Sequence, residues 1–166
     1  MKKSIILVAI LAIVSVGSAI AQPRAIGLNV GYGFDISYQH SIGEANMIDL
    51  SVNFPAVGKS IGIGASATYD WINPFGTAIP WDYEGQWNWN LGVGAGAGIY
   101  GLELAKYSTI WYAGVVGHVG VSYNFWFPLQ LSIDWRPNIG LTNNRLNYFN
   151  VDGLYSGLSL GVRYLF

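Results

Sequence analysis

The sequence has no cysteine, few charged residues and, after its first twenty positions, no long apolar run. Without cysteine, the 166-residue chain has no disulfide, thiol chemistry, cysteine metal site or lipoprotein anchor. Lys, Arg, Asp and Glu make up 10% of it, against about 25% in soluble domains. A net charge of −1 provides no basic patch, so we expect no nucleic-acid partner. No later stretch reaches the roughly 20 apolar residues that a membrane helix needs.

The N-terminus has the pattern of a secretory signal peptide. Lys2 and Lys3 precede an apolar segment from Ile5 to Val16, and Ala19 and Ala21 fit the small-x-small cleavage rule. We predict a signal peptide over residues 1–21 and a barrel domain over residues 22–166. The alternative is an uncleaved anchor helix, which the short apolar segment disfavours.

The mature chain is rich in alternation between apolar and small or polar residues. At the C-terminus, the apolar positions are Leu158, Leu160, Val162, Tyr164 and Phe166. The positions between them hold Ser159, Gly161, Arg163 and Leu165. A period of two indicates a strand with two unlike faces. A soluble domain would need a core to cover the apolar face, whereas lipid covers it in a membrane barrel.

The same period recurs along the chain and predicts eight strands. They are Ala25–Gly31, Asp35–Ser41, Met47–Phe54, Ser60–Trp71, Gln86–Tyr100, Tyr112–Phe125, Leu129–Arg136 and Leu158–Phe166. We therefore predict an all-β fold, an eight-stranded antiparallel up-and-down transmembrane barrel. One alternative stays open at Tyr32-Gly33-Phe34. This segment is either a three-residue hairpin or part of one long strand, because the alternation never breaks there.

An even number of strands places both ends of the mature chain in the periplasm. The connections at residues 55–59, 101–109 and 142–152 would then face outside. The connection from Asn73 to Gly85 would be periplasmic, where connections are usually short. Aromatic residues concentrate near both ends of the predicted strands, as expected of two interfacial girdles.

The predicted inward face carries seven titratable side chains. They are Asp35, Asp49, Asp70, His118, Asp134, Arg136 and Arg163. An eight-stranded barrel is just wide enough for side chains to fill it, and buried charges need partners. We therefore expect a polar network across the lumen, with Asp134 as a partner of one of the two arginines. On the lipid face, an arginine would cost about 2–4 kcal/mol near the midplane. The alternative is a narrow conduit, which the excess of acids over arginines and the many inward glycines favour.

No motif predicts catalysis, a metal or a cofactor. His118 and Ser122 share a strand face four residues apart, about 13 Å, which is too far for a base and its nucleophile. The alternating glycines of residues 92–98 lie within a strand that no helix follows, so they are not a nucleotide loop. The spacing of Asp and His gives no metal signature. We expect no enzyme, and residues 142–149 offer the best surface for a partner.

Two sets of segments carry a family resemblance. The first is Ala25-Ile26-Gly27-Leu28 with Ile36-Ser37-Tyr38-Gln39. The second is Tyr123-Asn124-Phe125 with the run from Pro128 to Pro137. They resemble a family of small OmpA/OmpX-type outer-membrane β-barrel proteins of Bacteroidetes-type bacteria. The resemblance spans nearly the whole mature chain and implies a fold and an outer-membrane location, but no activity. The ending, with Tyr164 and Phe166, is similar to the terminal signal read by the barrel-assembly machinery.

Three hypotheses about function follow. The first is a monomeric barrel in outer-membrane lipid with a filled lumen and a structural, envelope-integrity or surface-interaction role. The second is a narrow conduit for ions or small solutes. The third is a secreted soluble β-barrel that binds an apolar ligand, in which the two faces of every strand would be inverted.

Overall fold

The computed structural model describes residues 24–31, 33–57, 60–76, 85–100, 110–142, 145–149 and 157–166. These residues form ten strands: β1 (Arg24–Val30), β2 (Gly33–Ser41), β3 (Asn46–Val57), β4 (Ser60–Pro74), β5 (Gly85–Tyr100), β6 (Ile110–Phe125), β7 (Leu129–Trp135), β8 (Asn138–Thr142), β9 (Arg145–Phe149) and β10 (Leu158–Leu165). The predicted signal peptide, with Ala19 and Ala21, lies outside the described residues, as does the connection at residues 101–109. Within the described ranges, no helix is long and apolar enough to cross a membrane.

The strands form one closed antiparallel barrel. Within the series from β1 to β7, consecutive strands pair with each other. The last strand, β10, pairs with β7 on one side and with β1 on the other, which closes the circle. The predicted all-β, eight-stranded, antiparallel up-and-down architecture is therefore confirmed.

The seventh wall strand is interrupted, and an additional strand follows it. β7 and β8 pair with β6 in one continuous register, on either side of Arg136 and Pro137. Proline has no N–H for the ladder, although its carbonyl still accepts from the Gly117 N–H at 2.8 Å. β9 then folds back on β8 as a hairpin. The prediction of a plain loop over residues 142–152 is wrong over Arg145–Phe149, because these residues continue the alternating pattern as a strand.

The region around Tyr32 is a hairpin. Val30 pairs with Phe34, so the chain reverses direction between them, and β2 begins at Gly33, two residues earlier than the predicted Asp35. The single-long-strand alternative is therefore wrong. The other boundaries differ by a few residues. β3 extends to Val57, into the segment predicted as a loop, and β7 ends at Trp135. The turn after β2 depends on Gly43, whose φ of 90° is easily reached only by glycine.

The strands are staggered around the barrel. Starting from Leu131, directly opposed residues lead through Val162, Leu28, Ile36, Val52, Ala65, Ala97 and Ala113 to Leu141. One circuit therefore returns to the same wall strand ten residues further along. In barrels, such a stagger accompanies a strand tilt of about 40°. Every residue on this path is exposed on the outer surface.

The two faces of the wall are inverted relative to a soluble protein. The outward residues Leu160 and Val162 are 62% and 52% exposed, and the inward residues Asp134 and Arg163 are 2% and 1% exposed. The largest fully buried side chains are Arg163, His118, Asn29, Asp49, Asp70, Asp134 and Ser37. The barrel therefore has a polar interior and an apolar outer surface.

Candidate functional site: the polar lumen

The seven titratable residues predicted for the lumen all lie inside the barrel. Asp49, Asp70, His118, Asp134 and Arg163 are buried. Asp35 and Arg136 are partly buried, with 14% and 11% of their side chains exposed. Four carboxylates thus share the interior with two guanidinium groups and one imidazole.

Arg163 is the most extensively bonded side chain of the lumen. Its Nε donates to the Ser37 hydroxyl at 2.9 Å. Nη1 donates to Gln130 Oε1 at 3.1 Å and Ser132 Oγ at 2.5 Å. Nη2 donates to Asn29 Oδ1 at 3.0 Å and Asp134 Oδ2 at 2.9 Å. A guanidinium has five N–H groups, so every donor of Arg163 has an acceptor. This arrangement satisfies the condition under which a buried charge is tolerated.

His118 lies between two carboxylates. Its Nδ1 is 2.7 Å from Asp70 Oδ1, and its Nε2 is 3.1 Å from Asp134 Oδ1. An ionised carboxylate can only accept a hydrogen bond. If both carboxylates are ionised, both ring nitrogens donate and the imidazole is positively charged. The hydroxyl of Thr68 and the amide of Asn90 also donate to Asp70, at 2.7 and 3.1 Å.

Arg136 crosses the lumen to different partners. Its Nη1 is 3.4 Å from Asp35 Oδ2, and its Nη2 is 3.2 Å from Asp49 Oδ2. Asn29 donates to Asp35 and accepts from Arg163, and so joins the two halves of the lumen. The result is one connected network that extends from Asp70 on β4 to Asp49 on β3. Asp134 is the partner of Arg163 and not of Arg136.

Glycines on neighbouring strands leave room for these side chains. A Cβ at Gly120 would lie 2.5 Å from Asn90 Oδ1 and 2.7 Å from Asp134 Oδ1. A Cβ at Gly92 would collide with the Asp70 carboxylate. A Cβ at Gly27 would lie 2.6 Å from Cγ of Arg163, its cross-strand neighbour. The inward glycines therefore provide the space in which the charged network is built.

A cavity of about 70 Å³ lies at the end of the barrel that carries both chain termini. Most of its lining residues are polar, among them Arg24 at the start of β1 and Asp134 and Arg163 further inside. Its lining includes Gln39, Ser41, Asn88, Asn90, Ser122, Asn124 and Gln130. Met47, Ile72 and Leu165 also line it. A water occupies about 30 Å³ in the liquid, so the cavity has room for about two waters.

The sequence reasoning missed the neutral members of the network. Asn29, Ser37, Gln130 and Ser132 are buried and provide four of the five acceptors of Arg163. Their signal was available, since each shares its strand face with a charged or polar residue of the lumen. The prediction considered titratable residues because charge is costly to bury, but uncharged oxygen atoms accept most of the hydrogen bonds that Arg163 donates.

Other candidate residues lie apart from this network. Tyr164 and Phe166 point outward, each 57% exposed, with ring centroids 6.2 Å apart. His40 lies opposite Arg24 at the end of the barrel that carries the termini. In the part of the chain that the structure describes, no group of three or more His, Cys, Asp or Glu residues could hold a metal ion. The surface predicted for a partner over residues 142–149 corresponds to the end of β8 and all of β9.

Comparison with known proteins found no matching family model, no matching curated protein and no matching solved structure.

Proposed function

We propose that this protein is an outer-membrane β-barrel with a side-chain-filled lumen, which serves a structural, envelope-integrity or surface-interaction role. The observation that carries the proposal is the inversion of its faces. Leu131 and Ile133, 42% and 53% exposed, alternate with the buried Ser132 and Asp134. An exposed apolar surface that surrounds the whole barrel would be insoluble in water, whereas hydrocarbon covers it without cost.

Aromatic side chains near the ends of the strands support the same proposal. Trp71, Trp126, Tyr164 and Phe166 are exposed at the end of the barrel that carries the termini. Phe34 and Trp111 are exposed towards the opposite end. Aromatic rings prefer the level of the lipid head groups, so two such bands fit the two membrane interfaces. The resemblance to small outer-membrane barrels agrees with this placement.

The third hypothesis, a soluble barrel with an apolar ligand inside, requires the opposite arrangement. Its lumen would be lined by Leu, Val and Trp, which here lie outside. The inward groups are carboxylates, guanidinium groups and amides, which an apolar ligand would leave without hydrogen-bond partners. We therefore do not propose this role.

The test of the membrane proposal is fractionation of cells that express the full chain. We expect the protein in the outer-membrane fraction after an alkaline wash. Leu160→Glu should lower the amount inserted, because it places a carboxylate on the apolar face. Ala45→Glu, in the exposed turn after β2, is the matched control and should insert normally. Recovery of the wild-type protein in the soluble periplasmic fraction would refute the proposal.

The ending of the chain suggests how the barrel reaches the membrane. Tyr164 and Phe166 remain accessible on the outer face of the closing strand, where we propose that the barrel-assembly machinery recognises them. A Phe166→Ala variant should accumulate unassembled in the periplasm. Normal assembly of this variant, at wild-type rate and yield, would remove that part of the proposal.

The cavity favours one second candidate, a narrow conduit. The cavity is large enough for water and extends from one end of the barrel to Asp134 and Arg163. In the centre, however, His118, Asp70 and Asn29 are fully buried and hydrogen-bonded, so a solute would have to displace this network. Single-channel recording in planar bilayers decides between the candidates. A filled lumen predicts background conductance, and reproducible unitary steps would favour the conduit.

A further inference from the structure

The closing seam of the barrel, where β1 meets β10, joins the two ends of the domain. Its ladder extends from Arg24 opposite Phe166 to Val30 opposite Leu160, seven residues on each strand. The ladder between β5 and β6 extends over all 16 residues of β5. Pairing the chain ends has the largest loop-closure entropy to overcome. The seam therefore combines the most distant partners with a ladder less than half as long as that between β5 and β6.

Arg163 reinforces this seam from inside the barrel. It belongs to β10, next to the seam, and bonds to Gln130, Ser132 and Asp134 of β7 on one side. On the other side it bonds to Asn29 of β1 and Ser37 of β2. One side chain thus connects the first two strands of the barrel to the last two wall strands.

Gly27 makes the longer of these connections possible. Arg163, Gly27 and Ser37 are directly opposed across β10, β1 and β2. The guanidinium passes over Gly27 to place its Nε 2.9 Å from Ser37 Oγ. A Cβ at Gly27 would collide with the backbone oxygen of Val162 and would lie 2.6 Å from both Cα and Cγ of Arg163. The glycine therefore allows both the close approach of β1 to β10 and the path of the Arg163 side chain.

We propose that Arg163 and Gly27 form a latch that closes the barrel, so that the β1–β10 seam is the first ladder to open when the latch is removed. The latch holds the seam by tying β2, β1, β10 and β7 together through one buried, fully bonded guanidinium. Arg136 provides the contrast. It is also an inward arginine, but its carboxylate partners Asp35 and Asp49 lie on β2 and β3, so neither carboxylate belongs to a strand of the seam.

Hydrogen exchange measures the opening of individual ladders. Arg24 and Phe166 form a hydrogen-bonded pair across the seam, because the backbone N–H of each donates to the carbonyl oxygen of the other. Such pairs alternate along an antiparallel ladder, so the amides of Leu28 and Val162 also cross the seam. These two amides are the probes, and the amides of β5 and β6 are the internal reference. The experiment works in detergent or in buffer, so it does not depend on the membrane proposal.

Arg163→Met keeps the aliphatic stem and removes the guanidinium. We expect exchange at Leu28 and Val162 to accelerate at least tenfold, with less than a threefold change along β5 and β6. Arg136→Met is the matched control and should leave the seam amides within threefold of wild type. Equal acceleration of all ladders, or unchanged exchange at the seam, would overturn the latch.

If Arg163→Met does not fold, a milder pair of variants tests the same proposal. Ser37→Ala removes only the hydroxyl that accepts a hydrogen bond from Arg163 Nε across Gly27. Ser51→Ala removes a buried hydroxyl of β3 that donates to Asp49 and does not touch the latch. We expect Ser37→Ala to accelerate seam exchange about threefold or more and Ser51→Ala to leave it unchanged. The same effect of both variants on the seam would overturn the proposal.

Discussion

Two sectors of the barrel wall are held together by different means. The short-ladder sector consists of β7, β10, β1 and β2, whose ladders with one another cover seven residues of each strand. The long-ladder sector consists of β4, β5 and β6, whose ladders cover 13 and 16 residues. Backbone hydrogen bonds are plentiful in the second sector and scarce in the first.

The side chains inside the lumen are distributed differently between the two sectors. Arg136, Arg163 and Asp134 lie on or directly after strands of the short-ladder sector, and Arg163 links all four of its strands. The long-ladder sector contributes Asp70 and His118 to the network, and it also carries the inward glycines Gly92, Gly94, Gly96, Gly98 and Gly120. If side-chain bonds make up for the shorter ladders, the loss of a network residue should cost more in the short-ladder sector than in the long-ladder sector.

Asp134→Ala should have the largest effect. It removes the carboxylate partner of Arg163 and one of the two carboxylates that flank His118, and removal of one partner from a buried ion pair costs about 3–5 kcal/mol of unfolding free energy. Asp70→Ala, in the long-ladder sector, breaks no ion pair of an arginine; it removes the other carboxylate of His118 and an acceptor of Thr68 and Asn90, and should cost less, about 1–3 kcal/mol. Urea unfolding followed by tryptophan fluorescence measures both values. Equal losses would show that the short-ladder sector has no greater dependence on side chains.

Gly94→Ala tests the opposite sector. Its Cβ would lie against the carbonyl oxygen of Ala67 and 2.6 Å from Cα of Thr68, and neither backbone atom can move away freely. We expect a loss of about 1–3 kcal/mol, as for other overpacked sites. Gly117→Ala is the control, since its Cβ would meet only Pro137, at 3.1 Å. If the two variants unfold at the same urea concentration, Gly94 is not needed for the close approach of β4 and β5.

Aromatic pairs on the outer face should show the smallest effect and no difference between sectors. Phe34, on the edge strand β2 of the short-ladder sector, stacks on Phe54 of the adjoining β3, with centroids 4.8 Å apart. Trp87 and Tyr123 pair across β5 and β6 at 5.0 Å. Double-mutant cycles to leucine should give coupling energies of about 0.5–1.5 kcal/mol for each pair. A clear excess for one pair would mean that outer-face contacts also differ between the sectors.

Much of the architecture could be predicted from the sequence, because alternation is a local signal. The alternation of apolar and polar residues from Leu129 to Trp135 shows which side chains share a face, whatever strands lie beside them. The number of strands follows from finding the same alternation elsewhere in the chain. What alternation does not contain is where a strand breaks. Pro137 interrupts the wall without disturbing the parity, and β9 has the same period as the strands of the barrel.

The partners within the lumen were harder to predict. Arg136 bonds to Asp35 and Asp49, about a hundred residues away, because the wall curves and the register advances by ten residues in a circuit. No single strand encodes that stagger. The sequence predicts that Arg136 and Asp134 share a face. Asp134 forms its ion pair with Arg163, however, because the pairing of β10 with β7 brings those two side chains together.

The most direct test of the central claim is a single-cysteine scan along β7 in lipid bilayers, which the absence of natural cysteine makes clean. Nitroxide labels at Leu131 and Ile133 should be relaxed strongly by oxygen dissolved in the lipid and weakly by a water-soluble paramagnetic reagent. Labels at Gln130 and Ser132 should show low access to oxygen. If Leu131 and Ile133 instead respond to the water-soluble reagent as exposed residues of a soluble protein do, the apolar face does not meet hydrocarbon and the account is wrong.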